Sequence, residues 1–172
     1  MGSKLYPHVF EPINIRGIDF KNRIWLAPPS PNLAGADGQF APQLVNWMRM
    51  FARGGVCTLY VGNCSIDITE CKDEAYQLDM NSDRCILPLT WYADMCKQYG
   101  CHASLEINHG GKDSQFKRTG KPAYAPSAYY SSWELASAKE MGREPLKTIE
   151  MSVEKIHETV EKYAQAQAGN LP

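Results

Sequence analysis

Cysteine and histidine are the residue types of this chain best suited to metal or redox chemistry, and it contains six cysteines and four histidines. No two cysteines stand at the C-x-x-C spacing of zinc-ribbon, dithiol or ferredoxin-type sites. His102 and His109 also lack the spacing to a cysteine that a zinc site needs. Several cysteines lie in apolar runs, where a free thiol behaves as a small hydrophobe. The sequence therefore predicts reduced cysteines and no metal site.

Glu106 is the acidic residue whose position most needs a reason. It lies between Leu105 and Ile107 in a segment with the composition of a buried strand. Burial of an unpaired carboxylate is costly. The carboxylate must therefore meet a specific partner, or turn outward to pair with a lysine of a neighbouring helix.

A short apolar run, a polar loop and a segment of helical period recur along the chain, which is typical of parallel strands joined by crossover helices. Alternation around a glycine predicts a β-hairpin over residues 10–20. Buried strands are predicted at residues 23–27, 56–61 and 102–107. Helices are predicted at residues 43–53, with Pro42 as first residue, from 82 or 83 to about 99, and from 152 to 168. The polar segment from 112 to 150 is predicted to be mostly loop, with an ordered turn at 125–127.

The last helix has the clearest pattern. Ser152 is its predicted N-cap, and Met151 can pack on Ile156 as a hydrophobic staple. Four apolar residues at helical spacing form one stripe, which is typical of a face that packs on a core: Val153, Ile156, Val160 and Tyr163.

Composition limits the classes of function. The chain has 172 residues, enough for one domain, and its formal net charge is -1. Neither sign of charge is in excess, so no nucleic-acid or membrane partner is expected. No apolar run approaches the ~18 residues of a membrane helix, and the first residues lack the pattern of a signal peptide. We expect a cytoplasmic protein.

The order of motifs resembles a known family. The segments are FEPI at residues 10–13, KNRI and LAP within 21–28, RGGV at 53–56, INHGG at 107–111, APS at 125–127, and MS at 151–152 with YA at 163–164. In this order and spacing they resemble NADH:flavin oxidoreductases of the Old Yellow Enzyme type, nearest to the 2,4-dienoyl-CoA reductase and enoate reductase branch. The resemblance covers residues 5–168.

The resemblance implies an α/β fold that is part of a (β/α)8 TIM barrel, with an N-terminal β-hairpin and about three βα units. Residues 1–172 would be the N-terminal fragment of an FMN-binding barrel domain, since a closed barrel needs ~250 residues.

The resemblance also implies a set of cofactor contacts. The end of the first strand lies against the flavin in this family, so four consecutive residues correspond to cofactor-binding positions: Ala27, Pro28, Pro29 and Ser30. Ser30 stands where the family has Thr or Cys near the flavin O4 atom. Without the resemblance, it would be interpreted as a turn residue between two prolines.

Asn63 and Glu106 complete the implied cofactor set. Asn63 corresponds to a position whose backbone or side chain faces the flavin, although a loop asparagine that satisfies its own turn is the alternative. Glu106 stands where the family usually has Gln bonded to the N3–H and O2 of the flavin. A carboxylate there would repel the charge of the reduced flavin and lower its potential, or would be held protonated.

The implied activity is FMN-dependent transfer of hydride from NAD(P)H to an activated alkene, such as an enoate or dienoyl thioester. The family's substrate-anchoring, proton-donating and phosphate-binding residues correspond to positions beyond Pro172, so no catalytic residue is assigned. We therefore expect a truncated part that binds FMN weakly or not at all and is inactive alone. The alternatives are a non-enzymatic remnant and a half-barrel subunit completed by a partner chain. The third strand would have an open edge, which predicts self-association.

Overall fold

The structure, a computed structural model, describes residues 2–168. The strands are β1 Ile13–Ile15, β2 Ile18–Phe20, β3 Trp25–Leu26, β4 Thr58–Ser65, β5 Leu78–Asp79, β6 His102–Asn108, β7 Tyr124–Ala125 and β8 Ile149–Glu150. The α-helices are α1 Gly2–Leu5, α2 Pro7–Phe10, α3 Pro42–Arg53, α4 Ile86–Gln98, α5 Phe116–Thr119, α6 Ser132–Glu140 and α7 Val153–Ala168. Short 3-10 turns lie at Asp83–Cys85 and Gly111–Asp113.

The central sheet is parallel, as the alternation of strands and helices predicts. β4 lies in the middle, with β3 on one side and β6 on the other, and the register aligns Trp25 with Thr58 and Thr58 with His102. β5 pairs in parallel with the last residues of β4. β4 extends four residues beyond the predicted end at Val61, and most of its residues are buried, as expected for a strand covered by helices.

The predicted hairpin is confirmed. β1 and β2 pair in antiparallel register, with Ile13 opposite Phe20. Arg16 and Gly17 both have positive φ, at 50° and 89°, which is the conformation of the tight turn that matches strand twist. The ring of Phe20 stacks on Trp25 of β3 with centroids 5.0 Å apart, so the hairpin is attached to the sheet at the start of its strands.

Helices α3 and α4 bury one face of the sheet. α3 begins at Pro42 and ends before Gly54 and Gly55, as predicted, and it buries Leu44 and Met48. α4 buries Tyr92, whose hydroxyl donates a 2.6 Å hydrogen bond to the carbonyl of Leu59 in β4. This bond satisfies a polar group inside an otherwise apolar core.

Residues 112–150 are more regular than predicted. They contain α5, β7, α6 and β8, and β7 pairs in parallel with β8. Helix α6 starts with the side chain of Ser131 accepting a hydrogen bond from the backbone N–H of Glu134. The Glu134 carboxylate then binds both terminal nitrogens of Arg143 and the backbone N–H of Leu146. Local capping and one ion pair therefore order a segment that has no apolar periodicity.

Helix α7 begins where the sequence predicts, but the apolar face that was predicted to pack on the core is mostly exposed. The Ser152 side chain accepts from the backbone N–H of Lys155, which confirms the N-cap. The predicted core-facing stripe is wrong for three of its four residues, because Val153, Ile156 and Val160 are 63%, 46% and 61% exposed. Only Tyr163 of the stripe packs against the core. No helix within residues 2–168 is long and apolar enough to cross a membrane.

Candidate functional site

The residues predicted to bind a cofactor lie along one edge of the parallel sheet. The segment from Ala27 to Ser30 directly follows β3, Asn63 is near the end of β4, and Glu106 is near the end of β6. The pairing of Val61 with Leu105 puts the ends of β4 and β6 at the same level. In α/β barrels, ligands bind at the carboxyl ends of the strands, and this edge carries those ends.

Gly62 is the point at which the three strand ends meet. Its backbone N–H donates a 3.2 Å hydrogen bond to the carbonyl of Pro29. A Cβ atom at this position would lie 2.5 Å from the Glu106 Oε2 atom and 3.2 Å from the Pro28 Cβ atom. The register of β4 against β6 shifts between Val61 and Cys64, and such irregularities redirect side chains next to sites. Only glycine leaves Glu106 this close to Pro28.

Glu106 does not form an ion pair with a lysine of a neighbouring helix, which was one of the two alternatives for its carboxylate. Its side chain is exposed, and within residues 2–168 it forms no salt bridge with a lysine or arginine. Burial, reinforced by the negative charge of Glu106, raises the pKa of the Cys64 thiol to about 12. The Glu106 carboxylate is therefore available to accept a hydrogen bond from a ligand at the end of β4.

Ser30 and Asn63 are held by two adjacent residues of the loop between β4 and β5. The Ser30 hydroxyl donates to the carboxylate of Glu74. The Asn63 amide donates to both carboxylate oxygens of Asp73, at 2.9 and 3.0 Å. Asn108, at the end of β6, also donates to Asp73, at 3.3 Å. Asp73 and Glu74 thus tie the ends of β3, β4 and β6 together.

Asn63 presents its side chain to this loop rather than to the open edge. Its Oδ1 atom is buried and has no hydrogen-bond partner among residues 2–168. The backbone of Gly62 is the part of β4 that lies between Pro28 and Glu106. A contact between Asn63 and a ligand at this edge would therefore use the backbone, which is one of the two possibilities that the sequence left open.

An open pocket of about 240 Å³ lies beside Asp73 and Glu74. Its walls are Asp73, Glu74, Asp113, Gln115 and Trp133. Burial raises the pKa of Glu74 above its ordinary value, the hydrogen bond from Ser30 opposes this rise, and the charge of Asp73 adds to it. Asp73 and Glu74 are not among the site residues predicted from the sequence. The signal that could have found them is an acidic pair in the loop that follows a buried parallel strand.

The cysteines do not contribute reactive groups to this edge. All six are free and buried. Burial raises the pKa of four of them, Cys64, Cys71, Cys85 and Cys96, so their thiols stay protonated and weakly nucleophilic at neutral pH. Within residues 2–168, no group of three or more His, Cys, Asp or Glu side chains is arranged to hold a metal ion.

The chemistry of the edge fits a flat heterocycle that has an imide N–H and carbonyl oxygens. Glu106 offers an acceptor for the N–H, Ser30 carries a hydroxyl, and Pro28 offers an apolar surface beside the exposed backbone of Gly62. The isoalloxazine ring of a flavin has these groups. The residues present therefore fit the cofactor that the sequence resemblance implies.

A family profile and two proteins of known name are similar to this chain over most of its length. The profile of the NADH:flavin oxidoreductase / NADH oxidase family matches residues 8–169. The chain is 27% identical to the NADH oxidase of Thermoanaerobacter brockii over 162 residues, covering 94% of this chain and 23% of that protein. It is 32% identical to a metal reductase of Desulforamulus reducens over 162 residues, covering 92% of this chain and 22% of that protein.

The fold has solved counterparts. The structure of Old Yellow Enzyme from Pichia sp. AKU4542 superimposes with a TM-score of 0.79 and 21% identity, covering 92% of this chain and 41% of that one. This likeness confirms the partial (β/α)8 barrel. The chain spans less than a quarter of the length of the two curated relatives that it matches. Because the family profile covers nearly the whole chain, the chain belongs to the NADH:flavin oxidoreductase / NADH oxidase family.

Proposed function

We propose that this chain forms one side of the FMN site of an oxidoreductase that transfers hydride from NAD(P)H to an activated alkene, of the ene, enoate or dienoyl-CoA reductase type. The observation that carries the proposal is the convergence of Pro28, Gly62 and Glu106 at the carboxyl edge of three parallel strands. Bound FMN would supply the two-electron chemistry of hydride transfer.

Each residue of the edge has a distinct part in holding the ring. Glu106 accepts a hydrogen bond from the imide N–H, and its carboxylate lies beside Gly62. In this proposal Pro28 and the Gly62 backbone pack against the ring, and the hydroxyl of Ser30, which directly follows Pro29, contacts a ring carbonyl. Ala27 and Pro29 supply backbone on the same side, with the Pro29 carbonyl already bound to the Gly62 N–H.

The nicotinamide donor is supported by a relative. The Thermoanaerobacter brockii protein is named an NADH oxidase, and its similarity extends over 94% of this chain. Within this proposal, NADH or NADPH is the electron source, and the electron acceptor is an alkene conjugated to a carbonyl group.

We further propose that the 172 residues alone hold the ring weakly and do not turn over. Phosphate contacts contribute much of the affinity for FMN through charge-assisted hydrogen bonds. The resemblance assigns those contacts, and the substrate-anchoring side chains, to segments outside this chain. A half-barrel completed by another polypeptide is the second candidate. It is favoured by the outer edge of β6, which pairs with no strand among residues 2–168 and lies beside an apolar groove of about 500 Å³.

The test is a comparison of three flavins. The 172-residue chain is titrated with FMN, riboflavin and lumiflavin, and quenching of flavin fluorescence is measured. We expect saturable binding with dissociation constants that agree within about threefold, because the chain contacts the ring and not the phosphate. NADH added with FMN should not be consumed faster than it is without protein.

A steric variant identifies the site. Gly62→Val places a side chain where Glu106 Oε2 and Pro28 lie, so binding of all three flavins should be lost. Met50→Ala, at an exposed position of α3, is the control and should bind like the unmodified chain. Absence of saturable binding to any flavin, or equal binding by Gly62→Val, would overturn the proposed function.

A further inference from the structure

We propose that Glu74 controls whether Ser30 can donate a hydrogen bond to a ligand carbonyl at the end of β3. Glu74 is thus a positioning residue that acts through Ser30. The inference rests on the proposed function, since the carbonyl is that of the flavin ring. It assigns a role to a loop residue that the sequence resemblance leaves without one.

The hydroxyl of Ser30 has a single proton to give. In the structure it donates this proton to Glu74, whose ionised carboxylate can only accept. The same hydroxyl then presents only lone pairs to any carbonyl oxygen placed against it. Two acceptors facing each other repel, so ionised Glu74 opposes the binding of a carbonyl at Ser30.

The contact between Ser30 and Glu74 is fixed by the loops on either side of it. The loop after β3 and the loop after β4 are joined by the backbone N–H of Tyr76, which donates to the Asn32 side chain at 2.6 Å. The Ala34 N–H donates back to the Tyr76 carbonyl at 3.1 Å. Asn32 has φ of 55°, a left-handed conformation that asparagine tolerates better than most residues. Glu74 is therefore held within reach of Ser30 by its neighbours in the chain.

Protonation of Glu74 reverses the direction of the hydrogen bond. The carboxyl O–H then donates to the Ser30 oxygen, and the Ser30 hydroxyl is free to donate to the ligand carbonyl. The pair becomes a two-step chain of hydrogen bonds that ends at the ligand. Donation to a ring carbonyl also polarises it, so the change has a spectroscopic signature besides its effect on affinity.

The surroundings of Glu74 favour protonation at a higher pH than for a solvated glutamate. Burial raises the pKa of Glu74, and the negative charge of Asp73 adds to that rise against the effect of the Ser30 hydrogen bond. The other groups around the same pocket are Gln115, Trp133 and Asp113, and Asp113 is paired with Lys112 at 2.6 Å. Since the protonated form binds the ring more tightly, affinity for the ring should rise as the pH falls through the raised pKa of Glu74.

The experiment compares Glu74→Gln with the unmodified chain, using riboflavin as the probe. A glutamine can turn its NH2 group toward Ser30 and so imitates protonated Glu74 at every pH. We expect Glu74→Gln to bind riboflavin about three- to tenfold more tightly at neutral pH. As the pH falls through the raised pKa of Glu74, the unmodified chain should gain affinity, and the ratio of the two dissociation constants should approach one. The C4=O stretching band of bound riboflavin should lie at lower frequency in Glu74→Gln.

Ser30 variants separate this role from a structural one. Ser30→Ala should remove the effect of Glu74→Gln on both affinity and the carbonyl band, whereas Ser30→Thr, which keeps a hydroxyl, should preserve it. Circular dichroism and the thermal midpoint confirm that each variant is folded. If the unmodified chain binds riboflavin but Glu74→Gln has the same affinity, pH profile and carbonyl band, the inference is overturned and the proposed function stands. If no form of the chain binds riboflavin, the proposed function fails and the inference with it.

Discussion

Glu106 can reach over the end of β4 because residue 62 has no side chain. The Oε2 atom of Glu106 lies 2.5 Å from where a Cβ atom at Gly62 would be, and the Pro28 Cβ atom lies 3.2 Å from the same point. A carboxylate in this place accepts hydrogen bonds but donates none. It therefore distinguishes between ligands that offer an N–H and ligands that carry negative charge at the same point.

Glu106→Gln should change the preference of the site for the redox state of the flavin. Reduction places negative charge near N1 and O2 of the ring, which a carboxylate repels and an amide N–H stabilises. We expect the ratio of affinities for reduced and oxidised riboflavin to rise about tenfold, equal to about 30 mV in the potential of the two-electron couple. The two dissociation constants are measured anaerobically, with dithionite as the reductant.

Glu144→Gln is the matched control for this substitution. It removes the same charge at an exposed position of the loop after α6, and the affinity ratio should stay unchanged. An unchanged ratio in Glu106→Gln itself would mean that the carboxylate does not face the polar edge of the ring.

Sequence reasoning could find the strand-end residues but not the pair that holds them. Ser30, Asn63 and Glu106 follow or end apolar runs, so their place at one edge of the sheet follows from strand order. Asp73 and Glu74 have no such local pattern. Ser30 and Glu74 are 44 residues apart, and their contact depends on how two loops pack, which no short-range periodicity encodes.

Ion pairs join helix α7 to the loop after β4, while three of the four residues of its apolar stripe face outward. Lys162 binds Asp67 at 2.6 Å, and Lys155 binds both Glu70 and Glu158. Burial by itself raises the pKa of Asp67, but hydrogen bonds from Lys162 and Thr69 outweigh it and hold the pKa below its ordinary value. The side chains of Lys155 and Lys162 are only 14% and 22% exposed, whereas Val160 is 61% exposed and faces outward.

Lys162→Ala should therefore destabilise the protein more than Val160→Ala does. Removal of the lysine leaves Asp67 buried without its cation, at a cost of about 1–3 kcal/mol in the free energy of unfolding. Val160→Ala removes an exposed side chain and improves helix propensity, so its effect should be within about 0.5 kcal/mol of zero. Urea denaturation followed by circular dichroism gives both values at neutral pH.

The ion pair between Lys162 and Asp67 also predicts how the loss of stability in Lys162→Ala depends on pH. A carboxylate whose pKa is lowered on folding stabilises the protein above its unfolded pKa of about 3.9, and this contribution is lost as the pH falls through the lower, folded value. The difference in the free energy of unfolding between Lys162→Ala and the unmodified chain should stay constant from neutral pH to about pH 5 and decrease below about pH 4. A gap that persists in acid, or a larger effect from Val160→Ala, would show that the apolar stripe anchors the helix.

Elements with strong local signals could be predicted, while the orientation of α7 and the order within 112–150 could not. The hairpin, α3 and β6 combine turn or capping residues with clear periodicity, so local and long-range preferences agree. In α7 the apolar period marks a helix correctly, but the choice of the buried face depends on Asp67 and Glu70, which are about ninety residues away in the chain. Helix α6 relies on a cap and on the ion pair between Glu134 and Arg143 rather than on an apolar face.

The whole molecule is part of a barrel wall with the hairpin at one end and the candidate site at the other. The hairpin contacts the sheet at Phe20, Trp25 and His102, where the strands begin. Gly62 and Glu106 lie where the strands end. The inner face between these points exposes Trp25, and the outer edge of β6 pairs with no strand within residues 2–168. Residues 2–168 thus supply all three strand ends of the candidate site.

The outer edge of β6 should make the isolated chain self-associate. An unpaired strand edge offers a row of free N–H and C=O groups, and the groove of about 500 Å³ beside it adds apolar surface from Leu89, Ala103, Leu105 and Ile107. Two copies related by a twofold axis would pair their β6 strands in antiparallel fashion.

Sedimentation velocity should show a dimer whose fraction increases with protein concentration. Ala103→Lys, which places a charge at an exposed position of the edge, should shift the chain to monomer without lowering its thermal midpoint, whereas Leu135→Lys on α6 should leave the dimer intact. A concentration-independent monomer, or equal loss of the dimer in both variants, would exclude the β6 edge as the contact surface.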